Sequence, residues 1–317
     1  MPKIILDDLE AREYEHPLDR AALKKLEAIP GARALVKKIW EKYLDRLVYF
    51  ENTGSNIEVS KDNYSYLYDL LLEACSILDI KEIPPLYLEN SPEINAYATG
   101  VSRPVIVITY AAIERLDEQE LLYVIAHELG HIKSGHVLYY YLASNLAPFL
   151  QIAGQLSLGI GALAGNGVKI ALYYWRRMSE FTADRAGLLV CQDTSVCIRS
   201  LIKISGLPLT NLDIKDFEKS FIKQAKDFED FDYGTLNKLI RFQITVDNSH
   251  PWSVLRASEL LKWQDSEEYQ NILKRESRIA LSSDFESANF IFCVSCGSKL
   301  EESQKFCGIC GTKVEKN

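Results

Sequence analysis

Apolar residues recur first at helical spacing. Leu23, Leu26 and Ile29 stand three apart before Pro30-Gly31 interrupts them, within a helical region of about residues 17–50. Leu35, Ile39, Leu44, Leu47 and Val48 mark a second amphipathic helix, and Asn52 to Ser55 reads as a turn. A third stripe, Leu67, Leu70, Leu71, Ala74, Ile77 and Leu78, again has the period of one helical face. The period then changes. Pro84-Pro85 stops the helix, and Leu86–Leu88, Ala96–Gly100 and Val105–Ile108 read as short strands, the last two joined by a turn over Gly100–Pro104. Asp117, with Glu120 three residues on, predicts a capping box for a helix whose apolar positions include Leu121, Leu122, Val124 and Ile125. Helical patterning returns from residue 180 to about 198, from 212 to 245, and over 251–280 as one helix or a pair, with a break at Asn248–Pro251. The expected fold class is α+β, mainly α: helices, a small sheet, then a long helix.

That long helix carries the first chemical motif, His127-Glu128-Leu129-Gly130-His131. Residues four apart share a helical face, so both imidazoles can address one metal ion. Glu128, on the adjoining face, can take a proton from a zinc-bound water without being a ligand and later return it to the leaving amine. A catalytic zinc needs a third protein ligand, and Glu180 in Ser179-Glu180-Phe181-Thr182-Ala183-Asp184 is the best candidate. Asp184 falls on the same helical face and can accept a hydrogen bond from the far nitrogen of a ligand histidine. Taken without the upstream motif, the two carboxylates would read as a solvated face beside Arg176, Arg177 and Arg185. His136, continued along the same helix, would lie on the opposite face, and it reads as structural, as does His16.

Together with Ile94-Asn95-Ala96-Tyr97-Ala98-Thr99-Gly100, Ser134-Gly135-His136 and His250-Pro251 with Arg256, these motifs resemble the HtpX and CAAX-prenyl-protease family of zinc metallopeptidases over residues 16–262. The resemblance implies a gluzincin-like fold with Glu180 as third ligand and Glu128 as base. It implies Asp184 and Arg256 as supports behind the ligands, His250 as a group near the metal that steadies the oxyanion, and Asn95 and Ala96 as the edge that holds substrate backbone. His250 also reads as a helix-capping residue before Pro251.

If His131 and Glu180 share a metal, the stretch between them is constrained. Residues 137–168 carry no charge, and glycine recurs at 154, 159, 161, 165 and 167. A single complete membrane span would put the two ligands on opposite sides of a bilayer. A self-packed apolar hairpin, a shallow re-entrant or surface-lying hairpin and a short two-span hairpin remain. Tyr139–Tyr141 and Tyr173–Arg177 suit either an interfacial anchor or a core.

Composition narrows the partners. With 36 basic and 44 acidic residues the formal charge is −8, which argues against nucleic acid as a partner. Of seven cysteines, Cys293, Cys296, Cys307 and Cys310 form two Cys-x-x-Cys pairs ten residues apart, each followed by glycine. Four thiolates suit a closed structural zinc, and a ribbon of about 30 residues relies on its metal to fold. An iron–sulfur cluster or a redox dithiol is the alternative chemistry. The odd cysteine count and the charged first 30 residues predict a cytoplasmic protein in a reducing compartment, with membrane-surface contact left open by residues 137–168. The expected organisation is an N-terminal helical region at 1–60, a metallopeptidase domain at 61–281 with an apolar hairpin at 137–175, and a zinc ribbon at 290–317. The leading expectation is therefore an endopeptidase with one catalytic and one structural zinc, taking protein or peptide substrates at a membrane surface or in protein quality control. The alternative is a non-catalytic peptide-binding adaptor. No feature sets the oligomeric state.

Overall fold

In the computed structural model, which describes residues 3–27, 45–144, 166–205, 214–230, 252–274, 291–292 and 299–300, the periodic stretches within those residues become helices; Leu35, Ile39 and Leu44 of the second predicted helix, the end of the 212–245 region, the break from Asn248 to Pro251 and residues 275–280 lie outside them. Contacts divide the chain into a large unit, Lys3–Arg278, and a small one formed by Met1–Pro2 and Ile279–Asn317. The large unit begins with α1 (Ala11–Tyr14), α2 (Pro17–Glu27), α3 (Asp45–Ser55), strand β1 (Ile57–Glu58) and α4 (Ser65–Ile77). Strands β2 (Leu86–Glu89), β3 (Ala96–Thr99) and β4 (Val105–Thr109) follow, then α5 (Tyr110–Arg115), α6 (Glu118–Lys133) and α7 (Val137–Ser144). The unit continues through α8 (Asn166–Cys191), α9 (Thr194–Ile204), α10 (Ile214–Asp230), α11 (Ser253–Gln264) and α12 (Glu267–Leu273). In the small unit β5 (Ile291–Phe292) pairs antiparallel with β6 (Lys299–Leu300).

The four-stranded sheet has the order β1-β2-β4-β3. β2 and β4 run parallel, with Leu86 opposite Ile106, while β3 pairs antiparallel with β4, Ala96 opposite Ile108. β4 is apolar throughout because both its faces are covered. Ile106 and Ile108 join the main core with α4 and α6, whereas Val105 and Val107 pack with Val48 and Tyr87 on the other face. β3 is left as the edge strand. The capping box starts α6 as the sequence predicts: Glu120 N–H donates to Asp117 Oδ1 and Asp117 N–H to Glu120 Oε2, each at 2.9 Å.

Several boundaries differ from the pattern. Asn52 to Ser55 belongs to α3 rather than to a turn, because Asn52 Nδ2 and Thr53 Oγ1 donate to the carbonyls of Val48 and Tyr49 one turn back. The helix bearing Glu180 ends at Cys191 rather than near residue 198. Gln192 takes a left-handed φ of +51°, and Asp193 caps α9 by accepting Ser195 N–H at 2.9 Å. The segment before α2 carries no sequence pattern, yet Leu6, Leu9 and Tyr14 are buried in the main core. The predicted apolar hairpin lies largely outside the described residues: α7 ends at Ser144 and α8 begins at Asn166. Among the described residues no helix is long and apolar enough to cross a membrane.

Candidate metal centre

The site is built where α6 crosses α8. The crossing is close because position 130 is glycine: a Cβ there would lie 2.6 Å from Ala186 Cβ and 3.2 Å from Ala183 Cα. Small residues on both helices thus bring His127 and His131 against Glu180. His127 Nε2 lies 3.5 Å from Glu180 Oε2, and His131 Nε2 lies 3.5 Å from Glu180 Oε1. One ligand atom from each of the three falls within 4.8 Å of the others, and Glu180 is 1 % exposed. Atoms bound at about 2.0–2.1 Å around a tetrahedral zinc stand roughly 3.3–3.4 Å apart, so the spacing fits such an ion. The donor chemistry fits as well, because the Nδ1 atoms are engaged on the outer side and leave the Nε2 atoms to converge.

On that outer side, His127 Nδ1 is 3.0 Å from Asp184 Oδ1. Asp184 also accepts from Tyr123 Oη at 2.6 Å, from Arg256 Nε at 2.8 Å and from Arg256 Nη2 at 2.5 Å. Arg256 Nη1 reaches Glu180 Oε2 at 3.5 Å. Burial opposes the charge on Asp184, but the Arg256 guanidinium and the bond to His127 together outweigh it and hold the carboxyl well below its usual range. Burial also opposes a charge on His127, yet hydrogen bonds to Asp184 and Glu180 prevail and raise it to about 9 in the metal-free site. His131, where burial wins over Glu180, falls to about 4. Burial lifts Glu128 to about 7, against the attraction of His127 and a hydrogen bond from the Ala98 backbone.

Two clefts meet at these residues. One, of about 800 Å³, is lined by the edge strand from Asn95 to Thr99 and by Val48, Phe50, Val137, Tyr140 and Arg176. The other, of about 440 Å³, runs past Ala112, Leu116, Val124, Ile204 and Arg256. Both include Asn95, Ala96, His127, Glu128 and Glu180. Asn95 and Ala96 present different backbone faces. Asn95 N–H donates to Thr109 Oγ1 and its carbonyl accepts Thr109 N–H, both at 3.0 Å, so its backbone faces β4. The alternation of an antiparallel ladder then turns Ala96 and Ala98 toward the free edge.

Four residues at the centre have contacts that the sequence reading did not assign. Tyr140 Oη donates to Glu180 Oε1 at 3.2 Å, and Tyr123 braces Asp184; Tyr123 stands one turn before His127 on the same face, the one signal that pointed to it. His136 leaves the helical periodicity and packs its Nδ1 3.0 Å from His131 Nδ1, and Asp19 lies behind it. The remaining predicted site residues, His250 and Cys293, Cys296, Cys307 and Cys310, lie outside the described residues.

A helix bearing two histidines one turn apart around a glutamate, crossed by a second helix that adds a carboxylate, is the arrangement of a zinc metallopeptidase. The chain belongs to peptidase family M48, whose family model matches residues 65–264; a zinc-ribbon domain model matches residues 292–314. It is therefore a metalloprotease with a carboxy-terminal zinc ribbon. Among its relatives, the plastoglobule-localized metallopeptidase 48, chloroplastic, of Arabidopsis thaliana is 36% identical over 286 residues, spanning 88% of this chain and 80% of that protein. A protease HtpX homolog of Helicobacter pylori strain J99 is 31% identical over 54% of this chain, and protease HtpX homolog 2 of Methanosarcina acetivorans is 28% identical over 52%. The chain spans 61% and 63% of the length of those two proteins. No solved structure matches.

Proposed function

We propose that the chain is an endopeptidase that cleaves protein substrates at a zinc ion held by His127, His131 and Glu180, with Glu128 as the proton carrier. The observation that carries this reading is the convergence of the three donor groups on one point beside Glu128 and the β3 edge. Bound zinc supplies Lewis acidity and lowers the pKa of a coordinated water to about 7. The chain's own residues do the rest. Ala96, with the carbonyl of Ala98, offers free-edge backbone to an extended peptide, in the manner of an added strand, while the Ala98 amide donates to Glu128 and Asn95 stands beside Ala96 in both clefts. Burial raises the Glu128 carboxyl to about 7 in the metal-free site, and from its place beside the ligands it accepts a proton from the attacking water and returns it to the leaving amine. Asp184, itself clamped by Arg256, holds the proton of His127 on Nδ1 so that Nε2 stays bare.

The same reading extends to the rest of the chain. A metallopeptidase domain spans 61–281 behind a helical region at 1–60, and a ribbon at 290–317 holds a second, structural zinc on Cys293, Cys296, Cys307 and Cys310. The spacing of the cysteines and the zinc-ribbon match support that assignment. His250, whose motif with Pro251 and Arg256 resembles that of the family, is assigned in this reading to steady the oxyanion. The uncharged stretch 137–168 between the ligand-bearing helices, together with an Arabidopsis relative named for its plastoglobule location, supports work at a membrane surface. Quantitative failure of the purified protein to float with liposomes would remove that part.

Glu128→Gln tests the chemistry. Digestion of casein, sensitive to 1,10-phenanthroline in the natural protein, is expected to fall by at least about 10²–10⁴-fold while zinc content stays unchanged. Undiminished proteolysis in the zinc-loaded variant would sink the mechanism.

A further inference from the structure

The chain leaves α6 through a left-handed turn at Gly135, whose φ is +70°. Gly135 N–H returns to the Ile132 carbonyl at 3.1 Å and His136 N–H to the His131 carbonyl at 2.9 Å. This is the paired bonding of a Schellman motif, which closes a helix and reverses the chain. The reversal lays the His136 ring beside His131, Nδ1 to Nδ1 at 3.0 Å. On its far side His136 Nε2 lies 3.0 Å from Asp19 Oδ2, a contact short of linear hydrogen-bond geometry. Asp19 is 1 % exposed and sits on α2, outside the 65–264 region that the family model matches. Thr182, between Glu180 and Asp184 on α8, donates to the same Asp19 oxygen at 2.5 Å and accepts His16 N–H at 3.0 Å.

Proton counting makes this chain directional. An imidazole that binds a metal through Nε2 must carry its proton on Nδ1. His131 Nδ1 faces another imidazole nitrogen, not a carboxylate, so it can donate only if His136 Nδ1 is bare. A neutral His136 with a bare Nδ1 carries its proton on Nε2, toward Asp19. The opposite arrangement would set two N–H groups against each other at 3.0 Å.

We propose that His136 and Asp19 are positioning residues for the metal centre, fixing His131 as an Nε2 ligand through a His131–His136–Asp19 relay that makes α2 part of the site. The inference rests on the reading of His131 as a metal ligand. It gives the two histidine ligands different supports: His127 leans directly on the Asp184 carboxylate, whereas His131 reaches a carboxylate only through a second imidazole.

The test uses the full chain and two measurements. Cobalt(II) titration separates the weak visible bands of a nitrogen–oxygen site from the thiolate charge-transfer bands of the cysteine cluster. His136→Phe and Asp19→Ala are expected to weaken cobalt binding at the nitrogen–oxygen site by about 10–100-fold, with the thiolate bands unmoved. Long-range ¹H–¹⁵N spectra of the zinc-loaded natural protein are expected to show His131 protonated on Nδ1 and His136 on Nε2, a readout that does not depend on a variant folding. Unchanged cobalt affinity in both variants overturns the proposal, and so does His136 protonated on Nδ1. If His131→Ala binds cobalt at that site as tightly as the natural chain, the ligand assignment itself fails, which neither of the other results can mimic.

Discussion

Gly130→Ala isolates how the helix crossing serves the site. The added Cβ would meet Ala186 Cβ at 2.6 Å, about 1 Å inside the ordinary carbon–carbon contact of roughly 3.5–4.0 Å. Ala186 Cβ is attached directly to the backbone of α8 and Ala183 Cα is part of it, so no side chain can swing aside. The helices must separate. Overpacking of this kind costs about 1–3 kcal/mol, and alanine in place of a mid-helix glycine gives back about 1 kcal/mol. The net loss in stability is therefore small, about 0–2 kcal/mol. The metal centre is far less tolerant, because His131 is the next residue on α6 and Glu180 faces it from α8. Ligand distances around zinc hold within about 0.2 Å, so a separation of even half the overlap exceeds that margin. The expected result is at least a tenfold loss of metal affinity with the metal-free melting temperature changed by only a few degrees. Chelator competition gives the first quantity and a thermal scan of the metal-free protein the second. Undiminished affinity in a protein stabilised by about 1 kcal/mol would show that the crossing has slack and that the reasoning is wrong.

Two further outcomes follow from the charges behind the ligands. In the metal-free protein His127 holds its proton up to about pH 9, because Asp184 and Glu180 outweigh burial, and metal must displace that proton. Affinity at the nitrogen–oxygen site should rise about tenfold per pH unit on the way to pH 9 and then level; cobalt affinities that are flat between pH 6 and 9 would contradict this. Asp184→Asn removes both short hydrogen bonds of the buried Arg256 to a carboxylate, leaving it only the 3.5 Å contact with Glu180, and should cost about 3 kcal/mol in denaturant unfolding; Asp184→Asn with Arg256→Met should recover much of that stability without recovering proteolysis.

How much of this was legible in the sequence depends on how far apart the cooperating groups lie. The stripe from Leu67 to Leu78 and the box of Asp117 and Glu120 declare themselves because helix geometry brings residues three and four apart onto one face. Three of the four strands of the sheet were likewise visible as short apolar runs, but not the two-residue β1, nor the parallel pairing of β2 with β4, which no local spacing encodes. Asn52 to Ser55 misled because turn-forming residues can also hydrogen-bond back to a helix, and which they do depends on whether the helix already exists. The site divides in the same way. His127 and His131 are four apart, and so are Glu180 and Asp184, so one turn of α6 and one turn of α8 each carry a ligand together with its neighbour. The support for His127 was therefore readable once Glu180 was placed. The support for His131 was not, for two physical reasons. Extending the helical period past Ser134 threw His136 onto the wrong face, although a glycine with positive φ ends the helix there and folds the ring back. Asp19 then arrives from a helix more than a hundred residues away, held by a threonine hydroxyl that itself accepts a backbone amide, contacts with no sequence signature. A metal motif thus announces a ligand's support only where that support stands one turn from another ligand, as Asp184 does from Glu180. The ligand whose support follows a chain reversal and a distant helix is where the structure adds most.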